Sequence, residues 1–579
     1  MASSQFGGLP VFTAAAIAAA ALAAGLTLPA LVPAAAVVPR RLGIKARSQQ
    51  GRGVLDEHEL ARRSLTWLIQ AFGTGGRHAA DTAVGVMVAS PSRPEDRPGG
   101  KDENECYYFN WPRDTGLCVR ALIGALERAE QGLEIGVEQE SARRLHGIIK
   151  DTVELNMKLQ LLPNRSGTFE TGGIGEPKYM PDGSAFEDSW GRPQNDGPAL
   201  RALSYLRYAN YLLATRPAGS SELEFISTLY PRGGTPDSVR ALVRDDLDFV
   251  ARVWATDNTF ELWEEVEASP SAGGGHFHVL CVQRAALLSG ARFAARGDIA
   301  DEERAERYTA AAHAIEERME RFWITDGKIE HEGGEAIKEG PMAIEWDDAR
   351  RLGAISKSTL ALPHATPTLQ RLGGQQKPTE VDVACVLGFI HGWSGHLEGQ
   401  DKDLWAPWGE RAAATLYRCL LVFRDVYAIN QGKELKDGIL VGRYPEDVYD
   451  GVVQSIGHPW FLTTHGTAEL LFISAAHWAR LGHVKITALS LPLLQICDPS
   501  ANIGTFHRGS DEYERALRGL RSLAEQQLAR CRELVYSDGR MDEQIERQSA
   551  VQRGARHLSW SYASYLSCWD ARDAREART

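Results

Sequence analysis

No two of the eight cysteines (Cys106, Cys118, Cys281, Cys385, Cys419, Cys497, Cys531 and Cys568) stand at CxxC spacing. That lack removes the sequence basis for a thiolate metal site or a dithiol redox motif. Positive charge is also short: 64 Lys and Arg face 76 Asp and Glu, a formal net charge of −12. Such a balance disfavours nucleic acid and anionic membrane as partners and suits a neutral ligand such as a carbohydrate. Runs that alternate apolar with polar residues, the mark of half-buried strands, are scarce. What the chain does have is 43% hydrophobic and 24% charged residues over 579 positions, enough to bury a large globular core.

A long apolar run occurs in one place, from Val11 to Pro39, and ends at Arg40-Arg41. Residues 1–41 therefore read as a leader, cleaved near Ala34 to Ala36 or after the dibasic pair, and the protein as secreted. The run is also long enough to span a bilayer and has no Lys or Arg before it, so the alternative is a membrane anchor through residues 11–39. Asn164-Arg165-Ser166 is a single glycosylation sequon. The dispersed cysteines fit either a few disulfides or buried thiols, and spacing does not decide between them.

Residues 42–579 read as one domain. Apolar positions recur at helical spacing in twelve segments, roughly 56–73, 114–131, 142–162, 198–216, 235–254, 276–296, 301–324, 376–391, 405–428, 460–481, 511–535 and 557–570. In "SVRALVRDDLDFVARVW", Val239, Leu242, Val243, Leu247 and Val250 form one stripe with Arg and Asp opposite, which predicts one buried face. An all-α fold with an even number of helices fits a closed barrel of helical hairpins. Periodicity alone does not separate that from an α-solenoid or a bundle.

Two carboxylate segments, "ELWEEV" (Glu261 to Val266) and "MDEQ" (Met541 to Gln544), occur together with "WPRD" and "GRYPED". Acid–base cleavage of a glycosidic bond takes two carboxyls in different protonation states, with aromatic faces and charged groups to hold a sugar between them. Taken alone, each segment has a plainer explanation: "WEEV" as a surface helix with solvated glutamates, "MDEQIERQ" as a charged loop. Their company changes the weighing. "GVMVASPS", "YYFNWPRDTGL", "GIGEPKYMPDGSAFEDSWGRPQNDGPALRA", "ELWEEV", "GRYPEDVY", "HPWFLTT", "MDEQ" and "LSWSYAS" follow one another over most of residues 54–570. In this order and spacing the chain resembles the glucoamylase family of glycoside hydrolases, in its fungal type.

The resemblance implies an (α/α)6 barrel, exo-acting and inverting glucosidase activity on α-1,4-linked, starch-type glucans, a monomer, no cofactor and no metal. By motif, Glu264 corresponds to the general acid, which must be protonated at working pH, as an apolar, aromatic-walled site favours. Glu543 corresponds to the general base, which must stay ionised, and inversion calls for a separation of about 6.5–9.5 Å between the two carboxyls. Arg113 and Asp114 correspond to a pair that holds the hydroxyls of the terminal glucose. Arg443 corresponds to a sugar-binding arginine and Glu265 to a contact on the leaving-group side. Tyr107, Trp111, Trp190, Trp263 and Trp460 correspond to the aromatic wall, where indole and phenol rings stack on the C–H faces of sugars. Structural alternatives stand beside these: an Arg113–Asp114 ion pair with Asp114 capping a helix, a salt bridge from Arg443 to Glu446 or Asp447, and core packing for some tryptophans, as for Trp323 and Trp393.

The chain departs from the family pattern in places. Glu261 stands where Asp is usual, Pro112 where Thr is common, Ile545 for Tyr and His557 for Asp. The stretch "EASPSAGGGHFH" reads as a long, flexible loop, and the Gly-, Glu- and Pro-rich stretch 332–374 carries no assignable role. The chain ends soon after Trp569 with no room for a starch-binding module, so soluble dextrins are expected over raw granules. Two further readings are a same-fold glycosidase acting on trehalose or isomaltose, and a non-catalytic carbohydrate-binding relative. Retention of both Glu264 and Glu543 counts against the second.

Overall fold

Contacts along the chain separate Met1–Gln50 from Gly51–Thr579. The computed structural model describes residues 55–93, 106–132, 139–325, 355–393 and 403–573, all within the second unit; the leader and residues 332–354 lie outside the described residues.

Six helices form a ring, each packed on the next and the last on the first: Pro112–Glu130, Asp196–Thr215, Phe277–Ala294, Val383–His391, Phe461–Leu481 and Ser559–Asp573. Six more pack on them in turn, namely Glu57–Gln70, Gln139–Leu161, Leu242–Val253, Glu302–Met319, Glu410–Val426 and Asp511–Arg532. This is the (α/α)6 barrel, and each of the twelve expected helical segments contributes one helix. Sequence character follows layer. In the ring helix Phe277–Ala294 every residue but Arg292 is buried, as an element enclosed on all sides requires. In the outer helix Leu242–Val253, Leu242, Val243, Leu247 and Val250 are buried as expected. Val239 is not part of that face: it is exposed and closes a turn with Pro236, so the helix begins three residues later than the stripe suggested. Two short helices, Ser221–Leu229 and Leu491–Cys497, lie in connections and are too short to show a stripe.

Arg201, in "PALRA", ties the layers together. It donates twice to Asp246 (2.5 and 2.8 Å) and once to Asn156 (3.1 Å). Both charges are fully buried, so deleting one partner would cost about 3–5 kcal/mol.

Short strands decorate the barrel. Thr259–Phe260 and Val266–Ala268 make a hairpin, and Gly275–His276 follows. The stretch read as a flexible loop is thus held in two strands and a 3-10 turn. Its partners come from the stretch that carried no role: His364–Ala365, Thr368–Leu369 and Arg371–Gly374 pair with Trp323–Ile324, Gly275–His276 and Val266–Ala268. Pairing of Val266–Ala268 and Gly275–His276 with strands more than ninety residues away leaves no local signal, which is why both stretches look like loops in the sequence.

Cys118, Cys281, Cys385, Cys419, Cys531 and Cys568 are buried thiols without bridges. At the sequon, the Asn164 amide nitrogen donates to Leu162 O (3.1 Å) and Gly173 O (2.9 Å), so the atom that glycosylation would modify is engaged within the fold. No helix among the described residues is long and apolar enough to cross a membrane.

Candidate active site

Each ring helix is entered from a loop, and the expected site residues lie on these loops or in the first helical turn. The loops are joined edge to edge. Asn110 bridges to Tyr179, Arg113 donates to Gln194 (2.7 Å), and Phe260 N donates to Pro193 O (2.9 Å). Farther round, Trp263 donates to Asp382 (2.8 Å), Val383 N to Arg443 O (2.9 Å), and Trp460 bridges to Gln544. Ala89 closes the circuit, its N donating to Phe109 O (3.0 Å) and its O accepting from Ser559 N (2.8 Å). The ring-helix N-termini therefore gather at one end, where their partial positive charge favours anionic groups.

Glu264 is held on both carboxyl oxygens. Arg113 Nη2 donates to Oε1 at 2.7 Å and Trp190 Nε1 to Oε2 at 2.5 Å. Its backbone has φ +71°, a left-handed conformation that costs a non-glycine residue about 1–3 kcal/mol. Gly191 makes room for it: a Cβ there would lie 2.7 Å from Glu264 O. From Trp190 a row of rings leads away, with centroids 6.3 Å apart to Trp111 and a further 5.7 Å to Tyr107. Tyr107 stands beside Glu543, whose charge acts on its hydroxyl. The two carboxylates that the sequence singled out thus stand at the two ends of one aromatic row.

Glu543 is fully buried, and its Oε1 has no hydrogen-bond partner among the described residues. Gly554, at φ +76°, faces it, and a Cβ there would lie 2.3 Å from Oε2. Burial pushes Glu543 up to about 7, against the pull of the Tyr107 hydroxyl and the Arg443 charge. A base must be ionised, so here burial opposes the role while Tyr107 and Arg443 serve it.

Arg443 lies between carboxylates and rings. It is 2.8 Å from Glu265 and makes two bonds to Asp447 (2.6 and 2.8 Å). Its guanidinium carbon is 5.6, 5.5 and 5.4 Å from the rings of Trp263, Trp460 and Tyr449. Of the two carboxylates proposed for it, Asp447 is the partner. Glu446 instead accepts from Thr379 N at 2.7 Å. Glu265 also accepts from the Tyr444 hydroxyl.

Asp114 pairs with Arg113 Nε at 3.4 Å, and burial pushes its carboxyl up to about 6 with Arg113 opposing. It does not cap the helix. Trp111 holds the N-cap, and Pro112 occupies the first turn, where a missing N–H costs nothing.

The sequence reading passed over Lys178, in "EPKYM". Its ammonium lies 3.4 Å from the Trp190 ring centre, 3.9 Å from Phe186 and 4.3 Å from Phe109. Burial among these rings pushes it down to about 8, with the Glu264 charge opposing. Trp560, in "LSWSYAS", was also passed over; it lies 6.4 Å from Trp263 and 5.8 Å from the Arg113 guanidinium. Both sit inside quoted motifs, which was the available signal.

The description "Glycosyl hydrolases family 15" matches residues 63–570. The chain belongs to this family. It is 33% identical over 520 residues to a glucoamylase of Blastobotrys adeninivorans, covering 88% of this chain and 70% of the relative. To a probable glucoamylase of Schizosaccharomyces pombe it is 29% identical over 510 residues, covering 88% and 89%. The solved family 15 glucoamylase of Hypocrea jecorina superposes with a TM-score of 0.68 at 27% identity, over 88% of this chain and 71% of that one. As a family 15 member the protein is a glycoside hydrolase.

Proposed function

We propose that this glycoside hydrolase is an inverting, exo-acting glucan 1,4-α-glucosidase that releases β-D-glucose from the non-reducing ends of starch-type chains. The observation that carries the reading is the row Trp190, Trp111, Tyr107, with Glu264 hydrogen-bonded to Trp190 at one end and Glu543 beside Tyr107 at the other. A glucosyl unit lying along that row has a carboxyl on either side.

Glu264, protonated, gives its proton to the glycosidic oxygen as the bond to the anomeric carbon breaks. Glu543, ionised, takes a proton from the water that attacks the same carbon from the opposite face, so the configuration inverts. Arg113 and Asp114 hold the hydroxyls of the terminal unit, which makes the attack exo. Arg443 and Glu265 hold the sugar on the leaving-group side, and Trp111, Trp190, Trp263 and Trp460 supply stacking faces that exclude water. Residues 42–579 form the catalytic domain of a monomer, and residues 1–41 direct export.

The test is a substrate panel of maltose, maltoheptaose, isomaltose and trehalose, with the anomer of released glucose followed by NMR. β-Glucose from the maltooligosaccharides is expected, and Glu264→Gln should abolish it. Cleavage of trehalose with inert maltooligosaccharides would overturn the substrate assignment. N-terminal sequencing of secreted protein checks the leader.

A further inference from the structure

The loop that presents Glu264 is held by a buried cluster that the acid–base scheme does not use. Thr259–Phe260 and Val266–Ala268 pair so that Glu261 to Glu265 forms the hairpin loop, closed by Glu264 N donating to Glu261 O at 2.9 Å. At its start, the Glu261 carboxylate bonds Lys377 Nζ at 2.9 Å. The same ammonium bonds Asp382 Oδ2 at 2.7 Å, and the other oxygen of Asp382 accepts from Trp263 Nε1 and from Ala384 N, both at 2.8 Å. Glu261, Lys377 and Asp382 are all buried. Two loop residues on the N-terminal side of Glu264 are therefore fastened to the N-terminus of the ring helix Val383–His391. Lys377 Nζ also lies 4.1 Å from the ring centre of Tyr444, whose hydroxyl bonds Glu265 on the other side of Glu264.

We propose that Lys377 is a positioning residue for the reaction: by bridging Glu261 and Asp382 it keeps the loop in the one conformation that aims Glu264 at the glycosidic oxygen. This rests on Glu264 being the acid. The left-handed backbone of Glu264 persists only where its surroundings over-determine it, and this clamp is such a surrounding. A wrong angle at the acid by a small fraction of a turn is felt in the transition state more than in sugar binding. The bridge also gives a reason for the glutamate at 261, since an aspartate would end one methylene short of the ammonium. Lys377 arrives through the stretch that ends the Gly-rich region. Strand Arg371–Gly374 pairs with Val266–Ala268, and Gly374 admits it, because a Cβ there would lie 1.9 Å from Glu265 O.

The experiment compares Lys377→Met, Glu261→Asp, Glu261→Gln and the double variant Lys377→Met/Glu261→Gln with the parent, and includes Glu264→Gln. The readouts are kcat and KM on maltoheptaose and the thermal midpoint. Lys377→Met is expected to lower kcat at least tenfold with KM within about threefold, and Glu261→Asp to lower kcat several-fold with a smaller loss of thermal midpoint than Lys377→Met. The double variant, relieved of one unpaired carboxylate, should regain thermal midpoint relative to Lys377→Met without regaining kcat. A double variant with kcat within twofold of the parent would reduce the bridge to a structural pair and overturn the proposal. If Lys377→Met does not fold, the double variant and Glu261→Asp decide in its place, and parent-like kcat in Glu261→Asp counts against the clamp. Activity surviving in Glu264→Gln is a different failure, that of the acid assignment.

Discussion

The Tyr107 hydroxyl lies 3.1 Å from the Tyr449 hydroxyl, and both phenols stand beside the buried carboxylate of Glu543. Burial pushes Glu543 up to about 7, and the Tyr107 hydroxyl and the Arg443 charge pull it back. A tyrosine first read as a stacking surface thus favours the ionised form that the base role proposed for Glu543 requires.

The first consequence concerns pH. A general base works only when ionised, so kcat/KM rises with pH through the apparent pKa of Glu543. Tyr107→Phe removes the hydroxyl that favours the ionised form and lifts that pKa further. The acid limb of the kcat/KM profile should move to higher pH, by about half a unit to one unit, a shift of the size one hydrogen bond supplies. Profiles measured on maltose for both proteins check it; coincident limbs would mean that another group sets the limb.

The same burial has a sign in stability. Folding raises Glu543 from the usual carboxylate range to about 7, so between those values the folded state holds a proton that the unfolded state releases. Stability from this group is full below the unfolded pKa and falls as pH rises through about 7. An amide at this position stays neutral throughout. Glu543→Gln should therefore raise the melting midpoint by a few degrees at pH 8 and change it little at pH 4, while abolishing turnover. A calorimetric scan at the two pH values reads the difference.

What the sequence made legible follows physical range. Helical spacing within one segment is local, so the amphipathic face of Leu242–Val253 could be read directly. Closure of the ring depends on Pro112–Glu130 meeting Ser559–Asp573, a contact across more than four hundred residues that no local pattern encodes. The even number of helices fitted a barrel, a solenoid or a bundle, and the resemblance singled out the barrel. The site behaves likewise. Motifs named Glu264 and Arg113, but their 2.7 Å bond joins residues 151 apart, and the arginine was assigned to sugar or to an ion pair with Asp114, not to Glu264. Lys377 and Asp382 lie in no motif, so the clamp on the Glu264 loop had no trace in the sequence.

Arg113 can be tested for that second role. Its guanidinium donates to Glu264 and Gln194 at once and lies beside Asp114, a forked geometry that a lysine ammonium cannot reproduce. Arg113→Lys keeps the charge and should still lower kcat by roughly 100-fold or more, with a smaller rise in KM. Steady-state kinetics on maltoheptaose read the split. A rise in KM alone would confine Arg113 to substrate binding.

Trp190 permits a test that separates stacking from hydrogen bonding at the acid. Its ring is 40% exposed, so replacing it removes little core packing and should move the melting midpoint by no more than about two degrees. Trp190→Phe keeps an aromatic face for the sugar and for the Lys178 ammonium, but it removes the N–H that Glu264 Oε2 accepts. One preorganised donor at a reacting group is worth roughly 10- to 100-fold in rate. We expect kcat to fall by that factor with KM on maltoheptaose within a few-fold of the parent. Were KM to rise while kcat held, the indole would matter as a surface, and the orientation of Glu264 would rest on Arg113 and the loop beneath it.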